Sequence, residues 1–149
     1  MKLSTKGRYG LKAVVDLAAV AHGSTMTLAQ LAASQGVSQA YLERILRTLR
    51  TSGIVETVRG ASGGYALSVS PETLSVERVL GALEGSTAVV DCVGTAGKGC
   101  ENACVCAARP LFLTLQHRIN DVLRETTIQD LLNENLEQKR RLEHAANLS

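Results

Sequence analysis

Four cysteines are the residues in this chain best suited to do chemistry. They fall at Cys92, Cys100, Cys104 and Cys106, a C-x7-C-x3-C-x-C run within one short segment. Soft thiolates select iron–sulfur clusters, zinc or copper(I). Structural zinc sites favour paired knuckles two to four residues apart, and the first gap here is longer. Cluster-binding spacings vary too widely for geometry alone to decide. Spacing leaves iron–sulfur and zinc level, with a metal-free thiol switch behind them. Catalysis has little to build on. The histidines His22, His117 and His144 neighbour no cysteine in sequence. No phosphate loop, nucleotide fingerprint or paired catalytic carboxylates occur, so no enzyme is expected.

A second set of residues carries charge. Residues 1–70 hold eight basic residues against three acidic ones, a net of +5, and the remainder is −3. A basic first half on an acidic remainder points to a polyanionic partner. The start, MKLSTKGRYG, has no apolar run after its charges and is not expected to be a signal peptide. No stretch approaches a membrane span, which predicts a cytoplasmic protein with no membrane partner. In that reducing compartment the cysteines are expected to be ligands or redox sensors rather than disulfides.

The elements that must position these groups follow from periodicity. Tyr9, Leu11, Val14, Val15, Leu17, Ala18 and Ala21 predict a helix over 7–22, ending near Gly23. Thr27-Leu-Ala-Gln30 has the form of a capping box and opens a short helix. Gly36 permits a turn, and Ser38 can cap a helix running roughly 38–51. Two short strands, Ile54–Arg59 and Tyr65–Val69, flank the glycine-rich segment 60–64. Helix, short helix, turn, helix and hairpin is the order of a winged helix-turn-helix. The fold class is therefore mainly α with a small β-hairpin. Residues 1–70 are the winged unit, and 71–149 carry the cysteine loop, about 85–108, and dimerisation helices. A helix is expected around 75–83. Another starts at about Pro110, and Thr127-Ile-Gln-Asp130 can cap a further one. Leu111, Leu115, Ile119 and Val122 form an apolar stripe expected to be a dimer seam. The polar residues 137–149 are expected to fray, and the last eight or so to be foreign to the protein.

The helix at 38–51 has an inner face of Leu42, Ile45, Leu46 and Leu49. Its outer face offers Ser38, Gln39, Glu43, Arg44, Arg47 and Arg50. The start of such a helix enters the DNA major groove while the rest tracks phosphates. Gln39 can read adenine and Glu43 can accept from cytosine N4. Arg44, Arg47 and Arg50 are natural phosphate contacts. Arg59, beside Gly60 at the hairpin tip, suits a narrow minor groove.

The segments MKLSTKGRYGLKAVVDLA and VSQAYLERILRTLRTSGIVETVRGASGGYAL closely resemble the IscR-type regulators, the winged-helix family that also contains NsrR and CymR. The resemblance runs from residue 1 to about 132, including the IQDLL ending. It implies a homodimer whose long C-terminal helix crosses its partner, and binding to pseudo-palindromic operators. It links Tyr41, Glu43 and Arg59 with base reading. CymR-like members lack the cluster cysteines, whereas IscR-like and NsrR-like members have three in this loop. The stretch Cys106-Ala-Ala-Arg109-Pro-Leu-Phe112 matches the start of the family's long helix. The resemblance therefore implies Cys92, Cys100 and Cys106 as ligands of an iron–sulfur cluster, two-iron in preference to four-iron. Two departures stand out. Arg109 occupies the place of IscR's ligating histidine, and Arg8 that of NsrR's acidic ligand. The fourth ligand is left open, with Cys104 either supplying it or remaining a spare thiol. The function implied is a cluster-sensing repressor of iron–sulfur assembly genes. The alternatives are a nitric-oxide-sensing repressor, or a zinc- or thiol-stabilised DNA-binding protein without a cluster.

Overall fold

The computed structural model describes residues 2–94 and 101–148. Three helices begin it: α1 (Thr5–Ala19), α2 (Leu28–Gln35) and α3 (Gln39–Thr51). Helix α1 starts and ends earlier than its apolar pattern suggests. Ser4 caps it by accepting from the Gly7 N–H at 3.0 Å, and Val20 turns extended. Thr27 and Gln30 form the reciprocal capping box of α2, and Ser38 caps α3 through the Tyr41 N–H. Gly36 closes α2 in the left-handed region at φ 66°, a conformation that favours glycine.

Strands β1 (Val55–Val58) and β2 (Gly64–Leu67) pair antiparallel, with Val55 opposite Leu67 and Val58 opposite Gly64. Met26 adds a one-residue third strand. Its N–H donates to the Tyr65 carbonyl at 3.0 Å and its carbonyl accepts from the Tyr65 N–H at 2.8 Å. Gly64 makes this approach possible, because a Cβ there would stand 2.5 Å from the Met26 carbonyl oxygen.

Helix α4 (Val76–Glu84) follows, capped by Ser75, and lies against α1. Gly7 and Gly10 turn bare backbone toward it, where a Cβ would run into Glu84 and Leu83. Glu84 also accepts from the Ser4 N–H at 3.0 Å and its hydroxyl at 2.7 Å. Beyond a connection that includes a 3₁₀ turn at Asp91–Val93 come α5 (Arg109–Glu125) and α6 (Ile128–Asn147).

One buried aliphatic cluster holds these elements together. It runs from Ala13, Val14 and Leu17 through Leu31, Leu42, Ile45, Leu46 and Leu49 to Leu74, Val79, Leu80 and Ile128. It therefore draws on both sides of residue 70. The α5–α6 corner is fastened to the base of α4. The Val76 N–H donates to the Thr126 carbonyl and the Ile128 N–H to the Leu74 carbonyl, both at 2.9 Å. Thr127 caps α6, and its N–H and hydroxyl hold the Asp130 carboxyl below the ordinary carboxylate range. The expected fraying of residues 137–149 is not seen, since α6 continues to Asn147 with a Glu137–Arg141 pair at 3.6 Å along it. Charged pairs one turn apart support an exposed helix that has little to bury. No described helix is long and apolar enough to cross a membrane.

Candidate nucleic-acid interface and cysteine centre

Helix α3 buries Leu42, Ile45, Leu46 and Leu49, which leaves Gln39, Glu43, Arg44, Arg47 and Arg50 exposed on its outer faces. Ser38 is used locally, its hydroxyl occupied in capping. Glu43 and Arg47 pair one turn apart at 3.6 Å, both well exposed. Such a pair stabilises by a few tenths of a kcal/mol, so either side chain can leave it at little cost. Tyr41 is half-buried. Its ring stands edge-on to Tyr9 of α1 with centroids 6.2 Å apart.

The hairpin places Arg59 immediately after β1, exposed, with Gly60 next to it at φ 114°. That backbone conformation favours glycine. The Gly63 N–H donates to the Gly60 carbonyl and closes the tip at 3.0 Å. Thr25 donates its hydroxyl proton to the Ser62 carbonyl at 2.7 Å, which moors the tip to the α1–α2 loop. Together with the Met26–Tyr65 pairing, this fixes Arg59 relative to α3. Sequence reasoning missed Thr25 and Met26, because a one-residue strand has no periodicity to read.

Cys92 lies half-buried in the 3₁₀ turn, Cys106 half-buried in the turn leading into α5, and Cys104 exposed; all three thiols are free. Cys100 lies outside the described residues. Among the described residues no three His, Cys, Asp or Glu side chains converge on a metal-sized space. Arg109 links the two half-buried cysteines. Its backbone N–H donates to the Cys106 carbonyl at 3.2 Å, and its guanidinium Nη1 donates to the Cys92 carbonyl at 3.3 Å. The Cys106 N–H in turn donates to the Asn102 carbonyl at 3.0 Å. One residue at the first position of α5 thus holds both cysteine turns. A guanidinium, always protonated and without a free lone pair, is no ligand. Soft sulfur donors beside the start of a helix are chemically suited to an anionic iron–sulfur group.

Gln116 makes a second link between this segment and α5. It is 7% exposed, the one buried polar side chain among the described residues. Its carbonyl accepts from the Val89 N–H at 2.7 Å, and its amide donates to the Thr87 carbonyl at 3.3 Å and to Asn120 Oδ1 at 2.8 Å. Residue type alone does not reveal it in the sequence. Its signal was the Gln116–Asn120 spacing of one helical turn. Elsewhere on α5, Leu111, Leu115 and Val122 are 58%, 41% and 62% exposed, an apolar face left open among the described residues.

Residues 3–134 match the profile of the Rrf2 family, described as iron-dependent transcriptional regulators. The chain belongs to the Rrf2 family. Its Rrf2 relatives include a putative helix-turn-helix transcriptional regulator of Haemophilus influenzae, 38% identical over 89% of this chain and 87% of that one. IscR of Vibrio vulnificus is also 38% identical, over 91% of this chain and 79% of that one. Among solved structures, CymR, the global cysteine regulator of B. subtilis, superposes with a TM-score of 0.76 at 32% identity, covering 90% and 98% of the two chains. IscR of T. potens superposes with 0.73 at 32% identity, covering 91% and 88%. The Rrf2 chain described here is a transcriptional regulator with a winged-helix fold, as its sequence leads one to expect.

Proposed function

We propose that this Rrf2 protein is a homodimeric, iron–sulfur-sensing repressor, acting in the cytoplasm on pseudo-palindromic operators of iron–sulfur assembly genes. The observation that carries this reading is the double grip of Arg109 on the Cys92 and Cys106 turns, made from the first residue of α5. The same helix presents the uncovered Leu111, Leu115 and Val122 face to a second copy. The cysteine segment and the dimer seam therefore share one rigid element. Cys92, Cys100 and Cys106 would hold the cluster, with Cys104 a spare thiol. The cluster supplies reversible redox chemistry and sensitivity to oxidants. Arg109 and Gln116 transmit any shift of the cysteine turns to α5, and α5 sets the spacing of the two α3 helices. Operator affinity changes only if loaded and empty loops place those helices differently. On DNA, Gln39 and Glu43 face base edges, with Tyr41 at their flank and Ser38 holding the helix start. Arg44, Arg47 and Arg50 meet phosphates, and Arg59 with Gly60 enters the neighbouring minor groove.

The test begins with protein purified without oxygen. Iron and sulfide in equal amounts, with visible absorbance and a Mössbauer signal, are expected. Operator affinity is expected to change when they are removed. Colourless, zinc-loaded protein with constant affinity would overturn the sensor. In the same assay Arg59→Ala is expected to weaken specific binding by about 1–3 kcal/mol. Arg47→Ala should weaken all sequences evenly and lower the salt slope by about 1.

A further inference from the structure

The distal half of the hairpin has little to bury. Strand β1 buries Val55 alone, leaving Glu56, Thr57 and Val58 exposed, and Arg59 beyond them is exposed too. A two-stranded hairpin by itself is marginal in water, so the tip must be held by something other than core packing. At the root the hold is made by backbone. The Ile54 N–H donates to the Leu49 carbonyl in the last turn of α3 at 3.0 Å, and the Ser68 N–H donates to the Ile54 carbonyl at 2.9 Å. These bonds fix the hairpin where it leaves α3, at the opposite end from Arg59.

At the tip the hold is a side chain from another element. The hydroxyl of half-buried Thr25, between α1 and α2, donates to the Ser62 carbonyl at 2.7 Å. The two segments lie close enough that a Cβ on Gly64 would stand 3.2 Å from the Thr25 hydroxyl oxygen. The Met26–Tyr65 bonds hold β2, whereas the Thr25 bond is made to the tip itself. The loop that carries Thr25 is pinned on both sides. Before it the Ser24 N–H donates to the Ala21 carbonyl at 2.8 Å, and after it Thr27 caps α2. Helix α2 shares the buried cluster with α3 through Leu31 and Leu42. Both ends of the wing are therefore referred to α3, the root directly and the tip through Thr25.

We propose that Thr25 is a positioning residue for sequence selection by the wing: without touching DNA, it holds Arg59 at the groove before the duplex arrives. The inference rests on the reading of Arg59 as the minor-groove residue. A loose tip would let the guanidinium settle on any nearby phosphate, which carries no sequence information. A held tip keeps it at the groove, and the cost of ordering the tip falls on folding rather than on binding. Two probes test this: the tightest duplex that the wild-type protein selects from a randomised pool, and a mixed-sequence duplex of equal length. Thr25→Val keeps the size of the side chain and removes the donor. It is expected to weaken binding of the selected duplex by about two- to tenfold for each wing engaged, the worth of one hydrogen bond. Mixed-sequence affinity and the salt slope should stay at wild type, because no charge is lost. Partial unfolding would lower both affinities together, so their ratio separates positioning from instability. Thr25→Ser keeps the hydroxyl and should keep the ratio. In an Arg59→Ala background Thr25→Val should cost nothing more, as for two residues that act as one unit. Wild-type selectivity in Thr25→Val would overturn the proposal. So would an equal loss in Thr25→Ser, which would trace the effect to the methyl group, or an undiminished loss in the Arg59→Ala background. Failure of the wing reading looks different: Arg59→Ala would then itself leave selectivity intact.

Discussion

Arg109 holds two turns of the cysteine segment at once. Its guanidinium is committed to the Cys92 carbonyl and its backbone to the Cys106 carbonyl. A hydrogen bond from a charged donor is worth about 1.5–3 kcal/mol. Arg109→Ala is therefore expected to speed loss of iron on exposure to air by about tenfold or more, while thermal unfolding of the winged unit stays near wild type. Timed absorbance after admitting oxygen checks this, and an unaltered decay would count against the grip. Cys104→Ala should retain iron and sulfide, whereas Cys92→Ala, Cys100→Ala and Cys106→Ala should each lose them. Full retention after any of those three losses would refute the ligand set. At this scale the thiols, the caps Thr27 and Ser38, and the outward arginines could all be read from residue type and spacing. Arg109 could not, because its carbonyl partner lies seventeen residues away and depends on a turn with no periodic signal. Gln116 was hidden for a similar reason, being a polar residue whose partners are backbone groups of a distant loop.

Among the elements, α5 carries the most consequence. Its apolar stripe was visible in sequence; only the structure separates Leu111, Leu115 and Val122, left uncovered, from the half-buried Ile119. Placing a carboxylate on that face would desolvate a charge in any dimer. Leu115→Glu is expected to give a monomer in sedimentation, with the α1–α4 core folded and cooperative binding to paired half-sites lost. Persistence of the dimer would remove α5 as the seam. Helix α6 was read less well. Its polar second half looked frayed because no apolar stripe marked it, although the Glu137–Arg141 spacing was a signal in favour of helix.

In the molecule as a whole, the winged unit does not own its core. Val76, Val79, Leu80, Leu83 and Ile128 complete a cluster begun by Ala13, Val14 and Leu17. Composition and periodicity could name nearly all of these apolar positions, but not that Ile128 returns across the whole chain to join them. Ile128→Ala should cost about 2–5 kcal/mol, as large-to-small changes at fully buried sites do. Denaturation followed at α1–α3 should register that loss. An unaffected midpoint there would mean that the corner is only loosely seated.

The fastening of the α5–α6 corner also governs how two copies can part. Domain swapping needs a hinge that opens and an element that can leave its own core. Here the hinge is held by the Val76–Thr126 and Ile128–Leu74 backbone bonds, and the departing element would have to withdraw Ile128. Copies that meet through α5 would thus separate as complete subunits rather than as interlocked chains. Mixing two differently labelled populations should yield hybrids at a rate set by release of the Leu111–Leu115–Val122 face. That exchange should run far faster than global unfolding and show little sensitivity to Ile128→Ala. Exchange that waits on unfolding would reveal interlocked chains instead.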